Sequence, residues 1–405
     1  MVSPTSKPVS RRSIPFRLVI VAPFVVQIMT AVGLVGWFSF RNGQRAIGDL
    51  VQQLQREVNT RVQERLTSYL AVPHAINRSN VATLDLGYLK LNDLRSMERY
   101  LWRQIQTFDR QVSYIAFSGT DGEYVGVGLN DEGTPYYHVT EYRGELRRYS
   151  ADFEGNRGRF ITAAPNFDPR ARNWYTVPQK MQQPTWSEIY LWVDPPVLAV
   201  SLGKPYYNED GEFAGVLAVD WSLPQLSEFL RTLKIGQSGQ VFIVEGTGNL
   251  VASSSDFPPL VMSDGAPQRV RATEFDDLLI RETARYIDRT YQDWSNIPQN
   301  QPLSWKIDGH RYFAQILPFS DEAAVGLDWF IAIVVPESDF MAQINANTRN
   351  TIVLCGVALA VAIGLGLWTS RWITHPLQRL SQASSDLARG NLKRRVNENR
   401  IQELS

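Results

Sequence analysis

The chain has 405 residues, 44% of them hydrophobic and 20% charged, and its formal charges cancel to +0. That length accommodates about two or three folded units. A balanced charge without a basic stripe interleaved with aromatics excludes a nucleic-acid surface. The single cysteine, Cys355, excludes an intrachain disulfide and a cysteine-based metal site. The histidines His74, His138, His310 and His375 lie far apart without ligand spacing, so no metal or cofactor is expected.

In chain order, the first element is an uncharged apolar run, Leu18 to Phe40. As a helix it reaches roughly 34 Å, enough to cross a hydrocarbon core of ~30 Å. No small-x-small cleavage site follows it, so it reads as an anchor rather than a removed signal. A second run, Thr351 to Trp368, reaches roughly 27 Å as a helix. Lys7, Arg11, Arg12 and Arg17 precede the first run, and Arg371, Arg379, Arg389, Lys393, Arg394 and Arg395 follow the second. The positive-inside rule then places both termini in the cytoplasm and residues 41–349 outside it, across the inner (plasma) membrane.

From Arg41 to about Val72, apolar residues recur at three and four (Val51, Leu54, Val58, Val62, Leu66, Leu70), which predicts one long helix stopped near Pro73. Its stripe suits packing on its own domain and equally pairing with a second copy. A helix is expected at Asn92 to Phe108, with Asp93 near its start. The period then changes to two: residues 112–117 and 124–129 flank the turn Gly119-Thr-Asp-Gly122, and further short strands are expected between 131 and 165. A short helix from Trp174 to about Gln182 leads into strands at 186–190, 197–202 and 213–220, with an Asn208-Glu-Asp-Gly211 turn. Such alternation describes an antiparallel sheet. After a helix at 223–233 the pattern restarts: 240–244 and 250–253 echo the first strand pair, and 311–317 and 329–335 echo the closing strands, a degenerate duplication. Ser338 to Thr348 reads as a helix feeding the second run. Gly356, Ala360 and Gly364 place small residues four apart within that run. Past Trp368, heptad-like spacing from Pro376 to Leu387 leads to Gly390-Asn-Leu392, and another helix begins near Glu398, where the chain stops mid-element.

The chemistry concentrates in Phe167-Asp-Pro-Arg-Ala-Arg-Asn-Trp-Tyr175 and in Gly215-Val-Leu-Ala-Val-Asp220. A guanidinium offers a bidentate fork to a carboxylate, and an aspartate beside aromatic faces suits an ammonium. Arg172 and Asp220 are the expected binding poles, whereas Asp168 and Arg170 are expected to hold a turn. The second repeat lacks this stretch, so the two sheets are not chemically equivalent.

With DPRxRxWY and GVLAVD on two tandem sheet modules between two apolar runs, the chain resembles the double Cache (dCache) sensors of bacterial transmembrane receptors. The segment ITHPLQRL with GNL resembles the first helix and connector of a HAMP linker, and Arg400-Ile-Gln-Glu-Leu404 the start of its second helix. The resemblance implies an α+β fold, with a long N-terminal helix and two PAS-like antiparallel sheets flanked by two transmembrane helices and a partial HAMP helix pair. The implied boundaries are a basic tail at 1–17, spans at 18–40 and 351–368, a sensor at 41–349 and an incomplete HAMP at 370–405. Within the sensor, the membrane-distal module covers about 92–222 and the membrane-proximal module about 235–335. The resemblance also implies a homodimer, a cytoplasmic signalling partner, and a small ligand (an amino acid, an amine or a carboxylate) held by Arg172, Trp174, Tyr175 and Asp220, with Tyr190 added to the set. Two positions depart from the amino-acid pattern. Phe167 stands where a tyrosine is usual, and the strand around Trp192 and Asp194 supplies no clear second acid.

No phosphate loop, nucleophile elbow or paired-acid spacing is present, so a non-catalytic receptor is expected. Two alternatives remain open: the sensory half of a histidine kinase or nucleotide cyclase, and a membrane-anchored binding or scaffolding module.

Overall fold

The computed structural model describes residues 16–108, 111–130, 133–142, 144–192, 197–263, 266–297, 302–307 and 309–388. They fall into two compact units: Leu50–Asp339, and the described parts of Met1–Asp49 and Phe340–Ser405.

Helix α1 runs from Phe16 to Asp85 without a break, so the expected stop at Pro73 is corrected. A proline inside a helix costs about 3 kcal/mol. Here the turns beyond it are anchored: Ile76 and Leu84 enter the apolar core, and Asn77 Nδ2 donates to Leu202 O at 3.1 Å. Upstream, Val62, Leu66 and Leu70 are fully buried and Gln55 Nε2 donates to Ile333 O. The heptad-like stripe is therefore covered by the chain's own sensor. Each such side chain contributes roughly 1.5–3 kcal/mol by leaving water.

Helix α2 (Leu94–Thr107) starts on Asp93, whose carboxylate accepts from Ser96 N at 3.0 Å. Then come β1 (Tyr114–Gly119), β2 (Tyr124–Leu129), β3 (Pro135–Tyr142), β4 (Gly144–Ala151) and β5 (Arg157–Phe167), so the region expected to hold short strands forms long ones. Helix α3 (Asn173–Met181), the two-residue strands β6 (Thr185–Trp186) and β7 (Tyr190–Leu191), β8 (Leu198–Tyr207) and β9 (Phe213–Ser222) complete the distal sheet. Its order is β5-β4-β3-β2-β1-β9-β8-β6, with β7 also on β8, and every pairing is antiparallel. Alternation along the strands separates two faces. Ile115, Phe117, Val125, Val127, Leu217 and Val219 pack with α1 and α2, while Tyr114, Ala116, Tyr124, Val216 and Ala218 face α3.

Helix α4 (Pro224–Thr232) leads to the second sheet, built from β10 (Gln240–Glu245), β11 (Leu250–Ser253), β14 (Leu303–Ile307), β15 (His310–Pro318) and β16 (Trp329–Pro336). Between β11 and β14 lie the separate hairpin of β12 (Leu260–Ser263) and β13 (Ala266–Arg269) and helix α5 (Leu278–Tyr291), none of which the sequence pattern announced. The order β11-β10-β16-β15 repeats β2-β1-β9-β8 of the first sheet, so the duplication seen in the sequence is a duplication of topology.

Helix α6 (Ser338–Ala388) carries Pro376 inside it. Its stretch Arg349–Pro376, with mean hydropathy 2.3, is the one helix among the described residues long and apolar enough to cross a membrane. Leu18–Phe40 is helical throughout as part of α1. At Gly356 and Gly364 nothing lies within 4 Å of where a Cβ would stand, so the small-residue face is open. Gly390 to Leu392 and the helix expected near Glu398 lie outside the described residues.

Candidate functional site

Strand β9 enters the site through Gly215, at φ +146°, where a Cβ would stand 2.3 Å from Ser118 O. Only glycine allows β1 and β9 to approach so closely. Five residues on, the ladder sets Asp220 between Tyr114 of β1 and Ser201 of β8. The cross-strand row Ser201, Asp220, Tyr114, Gly128, Tyr136 lies beside the row Gly203, Ala218, Ala116, Gly126, His138. The second row is nearly bare of side chains, and Tyr114 lies across Gly126 and Gly128, where an added Cβ would collide with its ring.

Asp220 is 6% exposed. Its Oδ2 accepts from the Tyr190 hydroxyl and from Trp192 Nε1, the latter at 3.2 Å. Burial pushes its carboxyl up to about 6, against the opposing pull of Ser201, Tyr190 and Trp192. The Tyr124 hydroxyl donates to the Tyr114 hydroxyl at 3.1 Å, and Tyr114 in turn meets His138 Nδ1 at 3.1 Å. Burial, and then Arg148, hold the His138 imidazole down to about 3, so it is neutral. Tyr114 and the neutral His138 therefore share one hydrogen bond at Nδ1. Burial likewise raises the Tyr114, Tyr124 and Tyr190 phenols, so they remain protonated donors.

The Asp-Pro-Arg segment forms a clamp. Asp168 accepts from Arg170 N, Nε and Nη2 at 2.9–3.0 Å, and Arg170 Nη1 donates to Thr120 O at 3.0 Å. The end of β5 is thus tied to the β1–β2 turn, and Asp168 and Arg170 lie away from the Asp220 cluster. Two residues on, Arg172 is exposed, with Cζ 5.4 Å from the Phe167 ring centre and, among the described residues, no ion-pair partner. Trp174 and Tyr175 turn inward at 8% and 2% exposure, and the Tyr175 hydroxyl donates to Gly119 O at 3.2 Å. Trp174 and Phe167 both pack on Tyr124, at 5.9 and 5.4 Å between ring centres. Tyr124 lies within electrostatic reach of both Asp220 and Arg172.

Of the predicted residues, Tyr190 contacts Asp220 directly, Trp174 and Tyr175 share its aromatic cluster, and Arg172 stands at the outer end of that cluster. The site also holds Tyr114, Tyr124, Tyr136, His138 and Trp192, which sequence reasoning did not select. Alternation along β1 and β2 puts Tyr114 and Tyr124 on the face opposite Ile115 and Val125. Their meeting with Asp220 requires a register that only the folded sheet supplies. Trp192, noted in the sequence as standing where no acid is found, supplies a donor to Asp220. Asp194 lies outside the described residues. Among the described residues no three His, Cys, Asp or Glu side chains converge as a metal-ligand set.

The Cache domain model dCache_1 matches residues 43–344, and the HAMP domain model matches 368–405. The methyl-accepting chemotaxis protein PctB of Pseudomonas aeruginosa is 26% identical over 230 residues, covering 56% of this chain and 32% of that protein. McpB of Bacillus subtilis is 27% identical over 231 residues, covering 56% of this chain and 29% of that protein. The chain thus spans about a third of the length of these curated relatives. Among solved structures, the ligand-binding domain of Mlp24 with asparagine aligns with a TM-score of 0.50 at 17% identity, covering 75% of this chain and 99% of that one, a likeness of fold. Neither matched domain is catalytic, and a Cache sensor joined to HAMP, with an apolar helix at 349–376, marks a membrane protein. With the match running from 43 to 344, the chain belongs to the Cache domain family, as a dCache sensor followed by a HAMP domain.

Proposed function

We propose that this chain is the sensing and transmitting part of a transmembrane chemoreceptor. The distal module takes a small ligand that carries a carboxylate and a cationic nitrogen, with Arg172 receiving the carboxylate and Asp220 the cation. Trp174, Tyr175 and Tyr190 shape the space between the poles, while Asp168 and Arg170 hold the turn that presents Arg172. The observation that carries this reading is Asp220, a buried carboxylate under aromatic rings, in the same cluster whose outer end bears a guanidinium without an ion-pair partner among the described residues. Among the described residues Asp220 has only neutral donors and Arg172 has no ion-pair partner, whereas a ligand of opposite polarity at each end accounts for both charges.

In this reading 18–40 and 351–368 cross the membrane, 41–349 lie outside the cytoplasm, and 370–405 pass the signal to a cytoplasmic module. The receptor works as a homodimer. Ligand binding shifts an existing equilibrium between two arrangements of the sensor by its difference in affinity for them. Kinship with methyl-accepting chemotaxis proteins favours a chemotactic output over a kinase or cyclase.

The test is a thermal-shift screen of the full chain in detergent micelles against amino acids, organic acids and amines. Arg172→Ala should abolish the ligand-dependent rise in Tm and leave the unliganded Tm within about 1 °C, because an exposed side chain without an ion-pair partner among the described residues contributes little to stability. A large fall in the unliganded Tm with ligand response intact would make Arg172 structural.

A further inference from the structure

We infer that the cavity between α1 and α4 is a second small-molecule site, one that takes a hydroxylated organic acid of the sugar-acid class. The cavity holds about 760 Å³ and is bordered by Gln111, just ahead of β1. That volume falls within the roughly 300–1,000 Å³ of small-ligand sites. Arg65 of α1 and Glu228 of α4 both line it, yet neither makes an ion pair with the other or with any described residue. Arg65 is instead held by rings from both helices. Its Cζ stands 4.1 Å from the ring centre of Tyr69 on α1 and 5.5 Å from that of Phe229 on α4, and its Nη2 donates to the Tyr69 hydroxyl. A guanidinium carries five N–H donors, so this anchoring fixes the group and leaves most of its fork to a ligand.

The lining selects the ligand. A planar fork fixed against two rings matches a carboxylate and takes it bidentately. Glu228 accepts but does not donate, so it repels a second anion and receives hydroxyl hydrogens. The Gln111 and Gln225 amides also line the cavity, make no side-chain hydrogen bond among the described residues, and both donate and accept. A hydroxyl answers an amide in both directions, whereas an ammonium only donates. One carboxylate followed by several hydroxyls therefore meets Arg65, Glu228 and both amides. The cavity is also separate from the Asp220 cluster. Trp221 follows Asp220 on β9, so its ring turns to the opposite face of the sheet, where it packs on Tyr69 at 5.0 Å between ring centres. The two sites thus lie on opposite faces of β9.

The experiment titrates the full chain in detergent micelles, by calorimetry, with gluconate, the neutral sorbitol and the dianionic glucarate, which share one carbon skeleton. Gluconate should bind at least roughly tenfold tighter than either of the others, the order of one hydrogen bond to a charged group. Arg65→Lys keeps the charge but loses the fork, so it should weaken gluconate roughly tenfold and leave the unliganded Tm unchanged. Glu228→Gln removes the repulsion and should bring glucarate close to gluconate; it decides the matter if Arg65→Lys lowers the unliganded Tm. Arg172→Ala should leave gluconate binding as in wild type, which sets the cavity apart from the distal cluster. Sorbitol or glucarate binding as tightly as gluconate, or no binding by any of the three, would overturn the inference. So would gluconate binding that falls in Arg172→Ala and survives Arg65→Lys, because the ligand would then sit at the distal cluster, whose reading would stand.

Discussion

Asp220 concentrates the electrostatic tension of the distal module. Its carboxyl, near 3.8 in an unfolded chain, is raised to about 6 by burial, so the native state holds the proton to higher pH than the unfolded state does. The sign follows: this residue's contribution to stability is fully present below about pH 4 and is lost as pH rises through about 6. A shift of that size corresponds to about 3 kcal/mol. Asp220→Asn should therefore melt higher than wild type above pH 7, with the difference closing by pH 4, in a series of thermal melts of the unliganded chain. An equal offset at every pH would show that the residue acts through packing alone. Exposed carboxylates such as Asp93 and Asp152, lowered by hydrogen bonds to their own turns, trend the other way in both proteins and cancel in the comparison.

Helix α1 shows an element whose end is set by what it touches. Local rules stop it near Pro73, yet it reaches Asp85 because Ile76, Asn77 and Leu84 meet the distal sheet and α2. Ile76 is fully buried. Ile76→Ala should cost about 2–5 kcal/mol, the range for truncating a buried aliphatic side chain, whereas Arg78→Ala, two residues on and exposed, should change stability by less than about 0.5 kcal/mol. The difference in melting temperature between the two variants decides it. Equal, small effects would mean that the helix beyond Pro73 is not docked. The α1 stripe from Val51 to Leu70 is engaged in the same way, so pairing with a second copy at this level would use its polar face.

Within the sensor, residues 321–326 tie the two sheets and α1 together. The Ala323 carbonyl accepts from the Trp186 indole at 2.6 Å and from His74 Nε2 at 2.9 Å, and Asp321 accepts from Thr67 Oγ1 at 2.6 Å. His74 is held neutral by burial and keeps its proton on Nε2. Trp221, next in chain to Asp220, is buried between Tyr69 of α1 and Trp329 of β16, at 5.0 and 6.4 Å between ring centres. Strand β9 is thereby in contact with both α1 and the proximal sheet. Removing two of the hydrogen bonds in Trp186→Phe with Thr67→Val should lower stability by about 2 kcal/mol. It should also separate the melting of the two modules into two calorimetric transitions. A single transition at the wild-type temperature would show that the latch is dispensable.

The sequence alone carried the apolar runs, the switch from helical to alternating period, the Asp-Gly turns and the duplicated strand order, because each is a local pattern of residues within reach of one another along the chain. It also marked Arg172, Trp174, Tyr175 and Asp220 through one contiguous motif and one strand end. The strands between 131 and 165 were underestimated because charged residues such as Arg147 and Arg157 interrupt the alternation, and one of them, Arg157, is buried against Glu98, a partner 59 residues away. The lining of the site lay beyond any local pattern. Tyr114, Tyr124, His138 and Trp192 come from four separate segments, and the register of β1, β2, β3, β8 and β9 brings them to Asp220. A ladder sets which residues face each other through hydrogen bonds across the whole sheet, so the acid was legible in the sequence while the rings that enclose it became visible only in the folded chain.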